Sequence, residues 1–121
     1  MVTASHVLTA LVALLHVYFL VLEMFLWTKP QGQKTFKRTA AQQEETKVLA
    51  ANQGLYNGFL AAGLAYSYLA TPAAYQFRVF FLVCVVVAGL YGAATVGKSI
   101  LFVQAVPALL ALAATLAVRY A

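Results

Sequence analysis

The 121-residue chain has no aspartate, three glutamates, one cysteine and two histidines, and only 9% of its residues are charged. A soluble domain of this length buries roughly two-thirds of the surface its unfolded chain exposes. Charges this scarce would not cover the remainder, and long stretches lack the polar stripe a water-facing helix carries. The lone Cys84 excludes an internal disulfide and any paired-thiol metal or redox motif, and reads as a small buried residue. No glycine-rich run precedes Gly97-Lys98-Ser99, which excludes a phosphate loop. The first apolar stretch has no basic segment before it, continues past the usual length of a signal sequence and contains Glu23, so it is read as a mature helix. There is no clear internal repeat, no low-complexity tail and no second domain. No nucleophilic serine or cysteine has an obvious paired base.

What is abundant is hydrocarbon, at 64% of residues. It falls into four runs, 3–27, 48–69, 77–96 and 100–118, each close to the roughly 20 residues that cross a ~30 Å hydrocarbon core. The expected fold is all-α: a polytopic membrane protein, a four-transmembrane-helix bundle in a single domain over residues 1–121. Lys29, Lys34, Lys37, Arg38 and Lys47 fall in the first connection, residues 28–47, and Lys98 falls in the third, residues 97–99. Only Arg78 and Arg119 lie at the opposite end. This positive-inside bias places both basic connections in the cytoplasm and both termini outside, in what reads as a bacterial cytoplasmic membrane. The net charge of +5 is thus expected to meet lipid headgroups and not nucleic acid, because no basic surface is interleaved with aromatics or a recognition fold.

Ionisable groups inside hydrocarbon are costly and tend to mark function. His16 and Glu23 lie in the first run, seven residues apart, on nearly one helical face and about 10 Å apart along the axis. Trp27 ends that run and reads as an interfacial anchor. The second run opens with Ala51-Asn52-Gln53-Gly54-Leu55-Tyr56-Asn57-Gly58, where Asn52 and Tyr56 share a face and Gln53 and Asn57 share the next. Gly54 and Gly58 permit close helix approach. With the topology above, Glu23, Asn52, Gln53, Tyr56, Asn57, Tyr91, Thr95 and Gln104 belong to the cytoplasmic half of the bundle, with His16 deepest. They are expected to form a polar site for proton coupling or ligand binding, centred on Glu23. No metal or other cofactor is expected, since the seven-residue spacing of His16 and Glu23 is unlike paired zinc ligands one turn apart.

The segments His16-Val17-Tyr18, Glu23-Met24-Phe25-Leu26-Trp27, Phe36 in the basic connection, and the run from Leu49-Ala50-Ala51-Asn52-Gln53-Gly54 to Gly63 resemble the DUF1304 family of small integral membrane proteins. The resemblance covers nearly the whole chain. It implies a four-helix membrane architecture and carries no substrate or reaction. Three functions therefore stay open: proton-coupled transport of a small cationic or amphipathic molecule, catalysis on a lipid or hydrophobic metabolite, and a non-catalytic binding or structural role. Membrane lipids are expected partners, and a homodimer is attractive because four short helices enclose little volume alone.

Overall fold

The computed structural model describes residues 1–120, with Tyr120 described by its backbone only. The described residues are helical: α1 (Val2–Met24), α2 (Pro30–Phe36), α3 (Ala40–Tyr66), α4 (Ala74–Thr95) and α5 (Val106–Tyr120), the last entered through a π-helical turn at Leu101–Ala105. Three segments are long and apolar enough to cross a membrane, Val2–Met24, Ala74–Thr95 and Leu101–Arg119. The chain is an all-α polytopic membrane protein on that basis. α3 is the longest helix, at 27 residues, but its glutamates, glutamines and asparagines keep it outside that apolar class.

One boundary differs from the expectation, and another joins the polar stretch 39–48, which reads as a short surface helix, to the second apolar run in one continuous helix. The first helix stops at Met24 and not at Trp27: the amides of Phe25 and Leu26 both reach the Val21 carbonyl, and the chain turns. The second begins at Ala40, eight residues before the apolar run. Thr39 and Gln42 explain this, because the Gln42 amide donates to Thr39 Oγ1 at 3.2 Å while the Thr39 amide donates to Gln42 Oε1 at 3.0 Å. That reciprocal pair is a capping box, which satisfies two otherwise orphaned backbone donors. Between these helices, α2 starts on Pro30, whose missing N–H costs nothing in a first turn. It ends at Lys37 in the left-handed conformation (φ 53°), whose N–H returns to the Gln33 carbonyl.

The chain forms two compact units, one of Met1–Leu14 with the chain from Leu60 onward, the other of Leu15–Phe59. In the first, Val12, Leu64, Leu82, Val85, Ala108 and Ala111 make the core. In lipid, such packing is driven by close van der Waals fit rather than by escape from water. The π turn and α5 accordingly bury alanines, Ala105 in the turn and Ala108, Ala111 and Ala114 in the helix, and Gly89 of α4 lies so near Ala105 that an added Cβ would stand 2.7 Å from its backbone nitrogen. The π turn belongs to this contact. Pro107 has no N–H to close an ordinary turn, and the Val106 N–H reaches back five residues to the Leu101 carbonyl.

Candidate functional site

The buried face of α1 is its polar face. Ser5, Thr9, Val12, His16 and Glu23 recur at helical spacing and are all buried, whereas Val7, Leu11, Leu14 and Tyr18 are exposed. In hydrocarbon this is the arrangement expected of a spanning helix that carries polar side chains, since each must find its partner inside the protein. In the first unit, Ser5 Oγ and Thr115 Oγ1 are hydrogen-bonded at 2.8 Å. Thr115 Oγ1 also bonds the Ala111 carbonyl at 2.8 Å.

The second unit contains Glu23, only 3% exposed. Asn57 Nδ2 donates to Glu23 Oε1 at 2.6 Å. Among the described residues Oε2 has no hydrogen-bond partner, although it is buried. α3 comes close enough for the Asn57 contact because Gly54 and Gly58 face α1: a Cβ on Gly54 would stand 2.7 Å from Met24 Cγ and 3.2 Å from the Leu20 carbonyl oxygen, and one on Gly58 2.6 Å from Leu20 Cδ1. The close approach expected of these glycines thus places an amide on the carboxylate.

Glu23 also lines an open groove of about 520 Å³, together with Met24, Phe25, Trp27, Thr28, Lys47, Val48, Ala51 and Asn52. Its wall is mostly apolar with a few polar groups, and it is open to the surface. One side is built on Trp27. Trp27 Nε1 donates to Thr46 Oγ1 at 3.1 Å, the Trp27 carbonyl accepts from Gln43 Nε2 at 2.9 Å, and the indole packs on Phe36 with ring centres 4.7 Å apart. Behind it, Gly32 lies so close under the Leu26 and Trp27 carbonyls that no side chain would fit. Lys47 is paired to Glu44 in an exposed ion pair one turn away.

Not every expected site residue meets Glu23 directly. Asn57 does. Asn52 lines the groove, but its Nδ2 donates to the Val48 carbonyl on its own helix at 3.1 Å. Gln53 and Tyr56 are exposed, and Tyr56 packs edge-on against Phe59. His16 is fully buried, with Phe19 edge-on to its ring at 5.5 Å. Tyr91 and Gln104 belong to the first unit; Tyr91 is 72% exposed, and Thr95 caps back onto the Tyr91 carbonyl at 2.8 Å. Among the described residues no three His, Cys, Asp or Glu side chains come together as metal ligands.

One residue was missed. Gln43 is fully buried, and its Oε1 has no partner among the described residues. Its signal is the capping box: with the helix started at Ala40, Gln43, Ala50, Gly54, Asn57, Ala61 and Leu64 fall on one inward face.

No solved structure matches the chain. An uncharacterized protein, YpaA, of Lactococcus lactis is similar to it, 32% identical over 108 residues that cover 88% of this chain and 91% of that protein. The family described as a protein of unknown function, DUF1304, matches residues 10–116. That span takes in Glu23, the Trp27 turn, the glycines and Asn57 of α3 and most of the α4–α5 packing, and the chain belongs to the DUF1304 family.

Proposed function

We propose that the chain is a four-span membrane protein that exchanges a proton at Glu23 against a small cationic or amphipathic molecule, as a proton-coupled transporter. The observation that carries this reading is the Glu23 carboxyl group, buried with one oxygen held by Asn57 and the other unmatched. A bare carboxylate oxygen in apolar surroundings is costly. A proton, or the positive end of a ligand, removes that cost, and the two compete for one place. The groove supplies the rest: apolar walls at Met24, Phe25 and Trp27 for a hydrophobic body, and Thr28 and Asn52 for orientation.

The fourth span is α3. At 27 residues it is about 40 Å long, more than a hydrocarbon core requires. Asn52, Gln53 and Tyr56 then lie exposed on a spanning helix, where they require polar partners. A second copy of the chain supplies them in a homodimer.

The test uses purified protein in nanodiscs with tetraphenylphosphonium as the amphipathic cation. Binding is expected to release protons, read with a pH dye, and Glu23→Gln is expected to weaken it at least about thirtyfold and abolish the release, since a buried charge partner contributes about 2 kcal/mol or more. Proteoliposomes should show cation uptake driven by a proton gradient in the wild type only. Binding without proton release would overturn the coupling, and unchanged binding in Glu23→Gln would overturn the site.

A further inference from the structure

An arginine at the start of a membrane helix can snorkel toward headgroups, yet Arg78 is 7% exposed. It sits in the second turn of α4, where two neighbours fix it. Its Nε donates to Ser67 Oγ at 3.3 Å, and Ser67 Oγ is itself anchored on the Leu64 carbonyl at 2.6 Å. One face of the guanidinium lies over the Tyr68 ring, 4.8 Å from its centre. Tyr68 is held in turn by donating to the His6 carbonyl and by packing on the His6 ring. Nε and one face are therefore occupied, and among the described residues no hydrogen bond engages the edge bearing the two terminal nitrogens.

The partner of that edge is no acidic side chain of this unit. The chain's acidic residues are Glu23, Glu44 and Glu45, all in the other unit, and among the described residues no carboxylate pairs with Arg78. Nor is it a phenolate: burial pushes the Tyr68 phenol up from its ordinary value, against the opposing pull of the Arg78 charge, and keeps it neutral. A second guanidinium, Arg119, lies 4.7 Å over the ring of Tyr75, one turn before Arg78 on α4. Among the described residues, two cations thus occupy one end of this unit with no carboxylate side chain paired to either, beside the ends of α1, α3, α4 and α5, the end at which apolar spans of this length meet headgroups.

We propose that Arg78, seated on Ser67 and Tyr68, binds a phosphoryl oxyanion, the group an anionic phospholipid presents at this depth. A planar guanidinium edge pairs two phosphate oxygens at once. The Arg119 charge disfavours a zwitterionic headgroup, whose quaternary ammonium would be brought beside it. The site is independent of Glu23 and stands whether or not that residue couples to a proton.

Nitrogen-15 spectra of the three arginine side chains in nanodiscs test it. Doping phosphatidylcholine discs with phosphatidylglycerol is expected to shift the Arg78 Nε signal, while Arg38 stays in place. Native mass spectrometry should show phosphatidylglycerol retained over phosphatidylcholine, with the preference reduced about tenfold in Arg78→Lys, which keeps the charge but loses the fork and the Ser67 anchor. Inorganic phosphate alone shifting Arg78 equally would name free phosphate as the source of the same oxyanion; no shift with phosphate would leave the lipid. An Arg78 signal that moves with neither probe overturns the proposal. If Arg78→Lys does not fold, the wild-type spectrum decides by itself.

Discussion

Three glycines give the contacts of this chain a rank order that single substitutions can read. A Cβ at Gly89 would stand 2.7 Å and 2.9 Å from the backbone nitrogen and Cα of Ala105, atoms that move only with their helix. At Gly54 the nearest atom is Met24 Cγ, part of a flexible side chain, followed by Glu23 Cβ at 3.1 Å and the Leu20 carbonyl. At Gly97 nothing lies within 4 Å, and its φ is not positive. Gly89→Ala is therefore expected to cost most, about 3 kcal/mol, Gly54→Ala about 1–2 kcal/mol, and Gly97→Ala nothing or a slight gain; reversible unfolding in mixed detergent measures all three. Equal costs at Gly89 and Gly97 would show that α4 and α5 do not approach as described. Asn57→Ala leaves both Glu23 oxygens bare and should cost about 1–3 kcal/mol. In the Glu23→Gln background it should cost about 1 kcal/mol less, because an amide oxygen is cheaper to leave unmatched than a carboxylate.

α3 depends on a device only four residues long. Thr39-Ala40-Ala41-Gln42 closes its first turn, and both hydrogen bonds that hold Trp27 from α3 follow from the start it sets: Gln43 on the Trp27 carbonyl and Thr46 on its indole N–H. Thr39→Ala should cost about 1 kcal/mol. Trp27 is the only tryptophan, so its fluorescence should shift to the red before the helical signal is lost; a Trp27 signal that changes only with global unfolding would sever the cap from the site. Three of the four expected spans were legible in the sequence, because long apolar runs announce themselves without tertiary context; the capping box at Thr39 and Gln42 was not read there. The Glu23–Asn57 contact was half legible: the polar cluster and the glycines pointed to an inward face, but which amide would reach the carboxylate depends on helix rotation. Gln43 was lost because the stretch 39–48 reads as a helix on the membrane surface, where a glutamine faces water, and only its continuity with the rest of α3 turns that residue inward. Arg78 was misjudged for a different reason. A cation at a helix start ordinarily extends toward water, and only the placement of Ser67 and Tyr68 under it reveals that it is held inward.

At the scale of the whole molecule, the number of spans decides which charges share a side. Lys29, Lys34, Lys37, Arg38 and Lys47 precede the apolar part of α3, and Lys98 follows α4. If α3 crosses, these six cations share one side, and Arg78 and Arg119 share the other. If α3 lies along the surface, Arg78 and Arg119 join the other five and Lys98 stands alone on the far side, so both arrangements satisfy the bias that orients membrane proteins and labelling has to choose between them. Single cysteines in a Cys84→Ala background distinguish the cases, since Cys84 is the only native thiol. Lys37→Cys, Gln76→Cys and Ser99→Cys report the first, second and third connections to an impermeant maleimide added to sealed inside-out vesicles. The expected result is labelling at positions 37 and 99 and protection at 76, with the pattern reversed in right-side-out cells. Position 37 behaving like 76 and opposite to 99 would reduce the spans to three and remove the membrane crossing from α3. It would also take Asn52, Gln53 and Tyr56 out of the hydrocarbon, and with them the physical reason for a second copy of the chain to cover their exposed face.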